Sequence, residues 1–130
     1  MSLSPWPSLA TIVALLVYSY TIIAVGQARF KYSISPPAMT GNPDFERVVR
    51  VQANTLEHLI VFLPALWLFS LYLNPVWGGG LGLAWCVGRI LYAWGYMQEA
   101  KKRAPGFAIS FLSSTALLGG AAVGIIRSFL

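Results

Sequence analysis

Phe45-Glu46-Arg47-Val48-Val49-Arg50-Val51-Gln52-Ala53-Asn54-Thr55-Leu56-Glu57-His58 opens an apolar segment that continues through Leu59–Leu73. Cations, amides and a carboxylate thus stand at the entrance to a greasy run. Ionisable groups at membrane depth are costly, so they line a bundle interior or a polar cavity rather than face lipid. At about 100° per residue, Arg47, Arg50, Asn54, Glu57 and Val61 fall within roughly one 80° sector of a helix, while Gln52 points elsewhere. Such a stripe reads as a polar ligand site at one end of a membrane span.

The rest of the chain carries the same signature. Uncharged apolar runs occur at Leu9–Ala28, Leu59–Leu73, Leu81–Gly88 and Phe107–Ile126. A span needs about 20 residues. The first and last runs reach that length alone; the middle two reach it by including Val51–His58 and Arg89–Tyr96. Of 130 residues, 57% are hydrophobic and 10% charged, with a mean hydropathy of +0.67. Soluble domains carry about 25% charged residues, which sets this chain apart from them. The expected fold is an all-α membrane protein, one four-helix domain over residues 1–130. The first run reads as a span rather than a cleaved leader, because Met1–Trp6 has no basic stretch.

The net charge of +5 is clustered. Arg29, Lys31, Arg47 and Arg50 flank the first connection and Lys101, Lys102 and Arg103 the third, whereas Asn74–Gly80 is uncharged. The positive-inside rule therefore puts the first and third connections on the cytoplasmic face. A nucleic-acid binder would also be basic, but would not hide its charges between spans. Helix one is expected from Leu9 to Phe30, and helix two from an Asp44 cap to about Tyr72 with a kink at Pro64. Asn74-Pro75 and Gly78-Gly79-Gly80 read as the second turn. Helix three is expected over Leu81–Lys102, stopped by Ala104-Pro105-Gly106, and helix four over Phe107–Phe129. On helix four, Ala116, Gly120 and Gly124 permit close packing, and with Gly88 they suit contact between subunits. The single cysteine, Cys86, excludes an intrachain disulfide and reads as a small buried hydrophobe.

On helix three Arg89, Tyr92, Tyr96 and Arg103 share one face, with Arg89 and Arg103 about 21 Å apart along the axis. Taken singly, Tyr96 is an interfacial anchor and Arg103 a snorkelling cation. Their coincidence opposite the stripe on helix two favours a site. Arg89 needs a partner, and Glu57 is the carboxylate at that depth, so a structural ion pair and ligand contact are both open for the two. His58 has no second histidine or cysteine at ligand spacing, and no metal site is read. Several cations, an amide, phenols and one carboxylate suit a small zwitterion with more than one carboxylate. A second, apolar compound can arrive from membrane lipid.

Two blocks, Glu46-Arg47-x-x-Arg50-x-Gln52-x-Asn54-x-x-Glu57 and Gly82-Leu83-Ala84-Trp85-Cys86-Val87-Gly88-Arg89-Ile90-Leu91-Tyr92-Ala93-Trp94-Gly95-Tyr96, followed by Lys101-Lys102-Arg103, resemble the MAPEG family. These are the membrane-associated proteins in eicosanoid and glutathione metabolism, and the likeness covers nearly the whole chain. The second block is similar to the microsomal glutathione transferase type three branch. The resemblance implies a homotrimer of four-helix subunits with glutathione as co-substrate, bound between neighbours near the cytoplasmic side. By position it implies glutathione contacts from Arg29, Arg50, Gln52, Asn54, Glu57, Tyr92 and Tyr96, and a thiolate-stabilising role for Arg103. His58 is an expected glutathione contact too, although it stands where the family's leukotriene-forming member has tyrosine, and Phe30 replaces an arginine there. The activity implied is conjugation of glutathione to a hydrophobic electrophile, with reduction of lipid hydroperoxides as a second activity. The rival functions are a lipid-presenting scaffold, a glutathione-dependent isomerase and a channel.

Overall fold

The structure, a computed structural model, describes residues 3–130 as four helices: α1 Pro5–Tyr32, α2 Pro43–Tyr72, α3 Pro75–Gln98 and α4 Ala104–Ser128. A 3-10 turn, Ala100–Arg103, leads into α4. Each helix begins with a proline in its first turn, where the missing N–H costs nothing.

Asparagine, rather than the expected Asp44, caps α2. Asn42 Oδ1 accepts from the backbone N–H of Asp44 at 2.8 Å and of Phe45 at 3.2 Å. Asp44 lies inside the first turn and pairs with Arg47. Asn74 repeats the device, accepting from Val76 and Trp77 at 2.9 and 3.0 Å, so α3 starts at Pro75. Gly78, Gly79 and Gly80 are therefore helical, not the second turn. A Cβ on Gly79 would collide with Trp6 of α1, and one on Gly82 would lie 2.7 Å from Ala10 Cβ. The glycines let α1 and α3 touch along their backbones.

The other end of α3 also differs from expectation. It stops at Gln98, with Glu99 in an extended conformation, rather than running to Lys102. Ala104-Pro105-Gly106 starts α4 instead of ending α3. The reason is contact: the Gly95 site is filled by the Lys102 backbone, and Gly106 lies against Tyr92 N and Gly88 O. A straight continuation of α3 would remove both approaches. α2 continues as one helix across Pro64.

Contacts fix the topology. Trp6 and Ala10 meet Gly79 and Gly82, so α1 runs parallel to α3. Phe69 and Tyr72 meet Gly120 and Gly124, so α2 runs parallel to α4. The bundle is up-down-up-down, and both basic connections emerge at one end. Gly88, Gly120 and Gly124 are filled by neighbours of the same chain, and Ala116 is exposed. The three glycines thus close the bundle itself, and Ala116 alone of the four small residues lies on its outer surface.

The core holds Phe62 stacked on Trp85, ring centroids 4.0 Å apart and planes nearly parallel, with Leu59, Leu66, Leu117 and Cys86 around them. The outer surface is apolar as well: Ile12, Leu16, Ile23, Ile60, Leu71, Leu112 and Ile126 are all exposed. So continuous an apolar coat needs lipid or another subunit against it. α1, α2 and the run Ala100–Ser128 are long and apolar enough to cross a membrane, with mean hydropathies of 2.1, 1.5 and 1.8. α3 is less apolar. At 24 residues it is still about 36 Å long, more than a hydrocarbon core of roughly 30 Å, and it packs against the other three.

Candidate functional site

Arg89 is the centre of the polar architecture. It is fully buried, on α3. One terminal nitrogen, Nη2, donates to Asn54 Oδ1 at 2.8 Å and to Thr55 Oγ1 at 2.9 Å, both on α2. The other, Nη1, donates to Ser110 Oγ on α4 at 3.4 Å. The guanidinium carbon lies 4.0 Å from the Tyr92 ring centroid, close enough for a cation–π contact. One side chain thus ties three helices together.

Of the two roles left open for Arg89, the ion pair with Glu57 is not formed. Among the described residues the only salt bridge joins Arg47 to Asp44. Glu57 is exposed on the opposite face of α2 from Thr55, and Arg89 is held by neutral acceptors and an aromatic face. Thr55 and Ser110 escaped the sequence reading, because hydroxyl residues are routine in membrane helices, where they bond their own backbone. Ser110 does so too, donating to Phe107 O at 3.2 Å. The usable signal was a buried arginine: it requires several oxygen acceptors at its depth, whatever their charge.

Arg50 and Glu57 remain exposed on the outer face of α2, with Asn54 half-buried beside them. Their side chains make no hydrogen bond to one another or to other described residues. Leu56, Ile60 and Val61 next to them are exposed as well. This is an open polar strip bordered by apolar surface. Arg47, in the same sector, is diverted to Asp44.

The second polar group belongs to α3 and the turn after it. Tyr92 is buried; its ring is 5.5 Å from that of half-buried Tyr96 and 6.3 Å from Phe107. Arg103 is not on the face of α3, since the helix has ended. The 3-10 turn nonetheless folds it back, placing its guanidinium carbon 5.6 Å from the Tyr96 ring centroid. Arg103 Nη1 donates to Ala100 O at 2.7 Å, which fixes the arm, and its remaining donors are exposed. His58 turns toward α4, edge-on to Phe107 at 5.5 Å.

Two of the expected residues lie apart. Arg29 is engaged by the first connection, donating to Ala38 O at 2.7 Å and contacting Met39 Sδ at 3.4 Å, with Phe45 beneath it. Gln52 is half-buried on the face of α2 that packs on α1, one turn from Val49. The structure therefore brings Asn54 and Tyr92 onto Arg89, continues from Tyr92 through Tyr96 to Arg103, leaves Arg50 and Glu57 on an open strip, and sets Arg29 and Gln52 on the α1 side. An apolar groove of about 410 Å³ runs between α1 and α3, lined by Leu16, Val17, Tyr20, Ile90 and Trp94 among others.

Fold and site define an integral-membrane four-helix bundle whose basic end carries a lateral strip of cations, amide, phenols and carboxylate. Residues 7–123 match the MAPEG family, and the chain belongs to it. Human microsomal glutathione S-transferase 2 is 48% identical over 114 residues, 86% of this chain and 76% of that protein. Guinea-pig (Cavia porcellus) leukotriene C4 synthase is 34% identical over 120 residues, covering 92% and 80% of the two chains. An uncharacterized protein of Synechocystis is 55% identical over 121 residues, covering 93% and 88%. The family expectation stands; the transferase among these relatives carries the type 2 name, where the second block pointed to type three.

Proposed function

We propose that this protein joins glutathione to hydrophobic electrophiles at a site near the cytoplasmic face, completed by a neighbouring subunit of a homotrimer. The observation that carries the reading is the placement of Arg103 over Tyr96, whose ring neighbours that of Tyr92, while Arg89 joins Tyr92 to Asn54 on the strip. Names of the relatives, glutathione S-transferase and leukotriene C4 synthase, support glutathione as the thiol.

The chemistry follows from the groups present. A free thiol titrates near 8.5, so only a few per cent is thiolate at pH 7. A guanidinium beside the sulfur favours the anion and lowers that pKa without taking the proton itself. Arg103 is assigned this role. Arg50 holds a carboxylate of the tripeptide, Glu57 its amine, and Asn54, Tyr92 and Tyr96 its polar backbone. Arg29 and Gln52 face the α1 side, so they reach the peptide across the subunit boundary, and His58 lines the site beside Phe107. The electrophile reaches the sulfur from the bilayer, and alignment of the two reactants supplies much of the rate. Reduction of a lipid hydroperoxide by the same thiolate is a second activity of this site.

The test is purified protein with glutathione and 1-chloro-2,4-dinitrobenzene, and separately with a fatty-acid hydroperoxide. Thioether product in the first assay is expected. Glutathione binding with no product in either would favour a lipid-presenting scaffold and overturn the enzymatic reading.

A further inference from the structure

We infer that Arg89 is a positioning residue that turns the N–H end of the Asn54 amide toward the ligand. This rests on the glutathione reading above and adds to it what Asn54 can recognise.

A guanidinium carries donors and no acceptor. The atom of the Asn54 amide that faces it at 2.8 Å must therefore be the oxygen, and the amide is locked in one orientation. Its nitrogen then points to the half-open side of α2, where it makes no hydrogen bond among the described residues. Both Asn54 N–H groups are free, while one of the oxygen's two lone pairs is taken by Arg89. The ligand atom opposite the nitrogen must be an acceptor, a carboxylate or a peptide carbonyl, and not an amine. The amine goes to Glu57, one turn further along the same strip, which can only accept when ionised.

The same guanidinium lies against the Tyr92 ring, so it sets a second site residue from behind. Thr55 and Ser110 supply two further acceptors, while the buried Nε has none among the described residues. They hold the cation in place and do not face the strip, since Thr55 and Ser110 are buried. The arrangement also explains why the cation has no carboxylate partner. A carboxylate at position 54 would satisfy Arg89 equally well, but it would present the ligand with no donor and a negative charge.

The experiment measures glutathione affinity by calorimetry on the detergent-solubilised protein. Asn54→Asp keeps the acceptor for Arg89 and is expected to retain the wild-type unfolding midpoint. Its glutathione affinity is expected to fall about 10- to 150-fold, the loss of a charge-assisted hydrogen bond. Arg89→Lys keeps the charge but not the fork, and should weaken binding about 2- to 12-fold in the wild-type background. In the Asn54→Ala background Arg89→Lys should lose most of its effect on affinity, keeping only what the guanidinium contributes through Tyr92. Wild-type affinity in Asn54→Asp, or losses that multiply in the double variant, would overturn the inference while leaving the glutathione reading intact. Wild-type protein that binds no glutathione would overturn both.

Discussion

Gly88→Ala tests how the site is held together. α3 and α4 cross at Gly88 and Gly106 with no side chain between them. A Cβ on Gly88 would lie 2.7 Å from Ser110 N and 3.0 Å from Gly106 O. Both are backbone atoms of α4 and cannot rotate away. Restoring the nearer contact to 3.4 Å moves α4 outward by about 0.7 Å, a shift that a close-packed interface resists. The Arg89–Ser110 hydrogen bond is already 3.4 Å long, so the same shift breaks it. Overpacking of this kind costs about 1–3 kcal/mol. Stranding one guanidinium nitrogen adds about 1 kcal/mol, and the better helix propensity of alanine returns roughly 0.5–1 kcal/mol. The net expectation is a loss of about 1–3 kcal/mol. Unfolding by sodium dodecyl sulfate in mixed micelles, followed by circular dichroism, reads it. Gly119→Ala is the control: nothing lies within 4 Å of its added methyl group, so only the propensity gain applies. Equal unfolding curves for Gly88→Ala and Gly119→Ala would refute the packing argument.

Three further outcomes are expected. Arg103→Leu should raise the pKa of the bound thiol and lower turnover about 10- to 150-fold near neutral pH, since removing a cation disfavours the thiolate. The deficit is largest below the wild-type thiol pKa and disappears well above 9, where the thiol ionises unaided; ultraviolet thiolate absorbance across pH checks it, and an unchanged titration returns Arg103 to an interfacial anchor. For topology, cysteines at the exposed positions Ser35 and Ala104 should label from one side and one at Val76 from the other, and labelling of Ser35 and Val76 from the same side would refute the up-down bundle across the bilayer. Native mass spectrometry should find a trimer, and a monomer that binds glutathione with full affinity would exclude the shared site.

The membrane character and the number of helices were legible because they depend on local sums: apolar runs of sufficient length, with their polar ends where needed, and charge clustered in two of three connections. The strip on α2 was legible for the same reason, since residues three and four apart share a face in any helix. Boundaries set by contact were not legible. Gly78–Gly80 and Ala104–Gly106 look like turns by composition, yet Trp6, Gly88 and Tyr92 receive them as helix, and the absence of a side chain is what allows that approach. The partner of Arg89 was illegible for a related reason. Sequence chemistry pairs a cation with the nearest carboxylate, and Glu57 is three residues from Asn54. Helical phase turns Glu57 outward and Thr55 inward, and only the crossing of α2, α3 and α4 brings Asn54, Thr55 and Ser110 around one guanidinium. Arg103 shows the limit from the other side: its proximity to Tyr96 was foreseen on a continuous helix, but a break at Glu99 and a 3-10 turn deliver it. Periodicity along one helix is written in the chain; which faces meet depends on how closely the backbones approach, and that is decided in the assembled bundle.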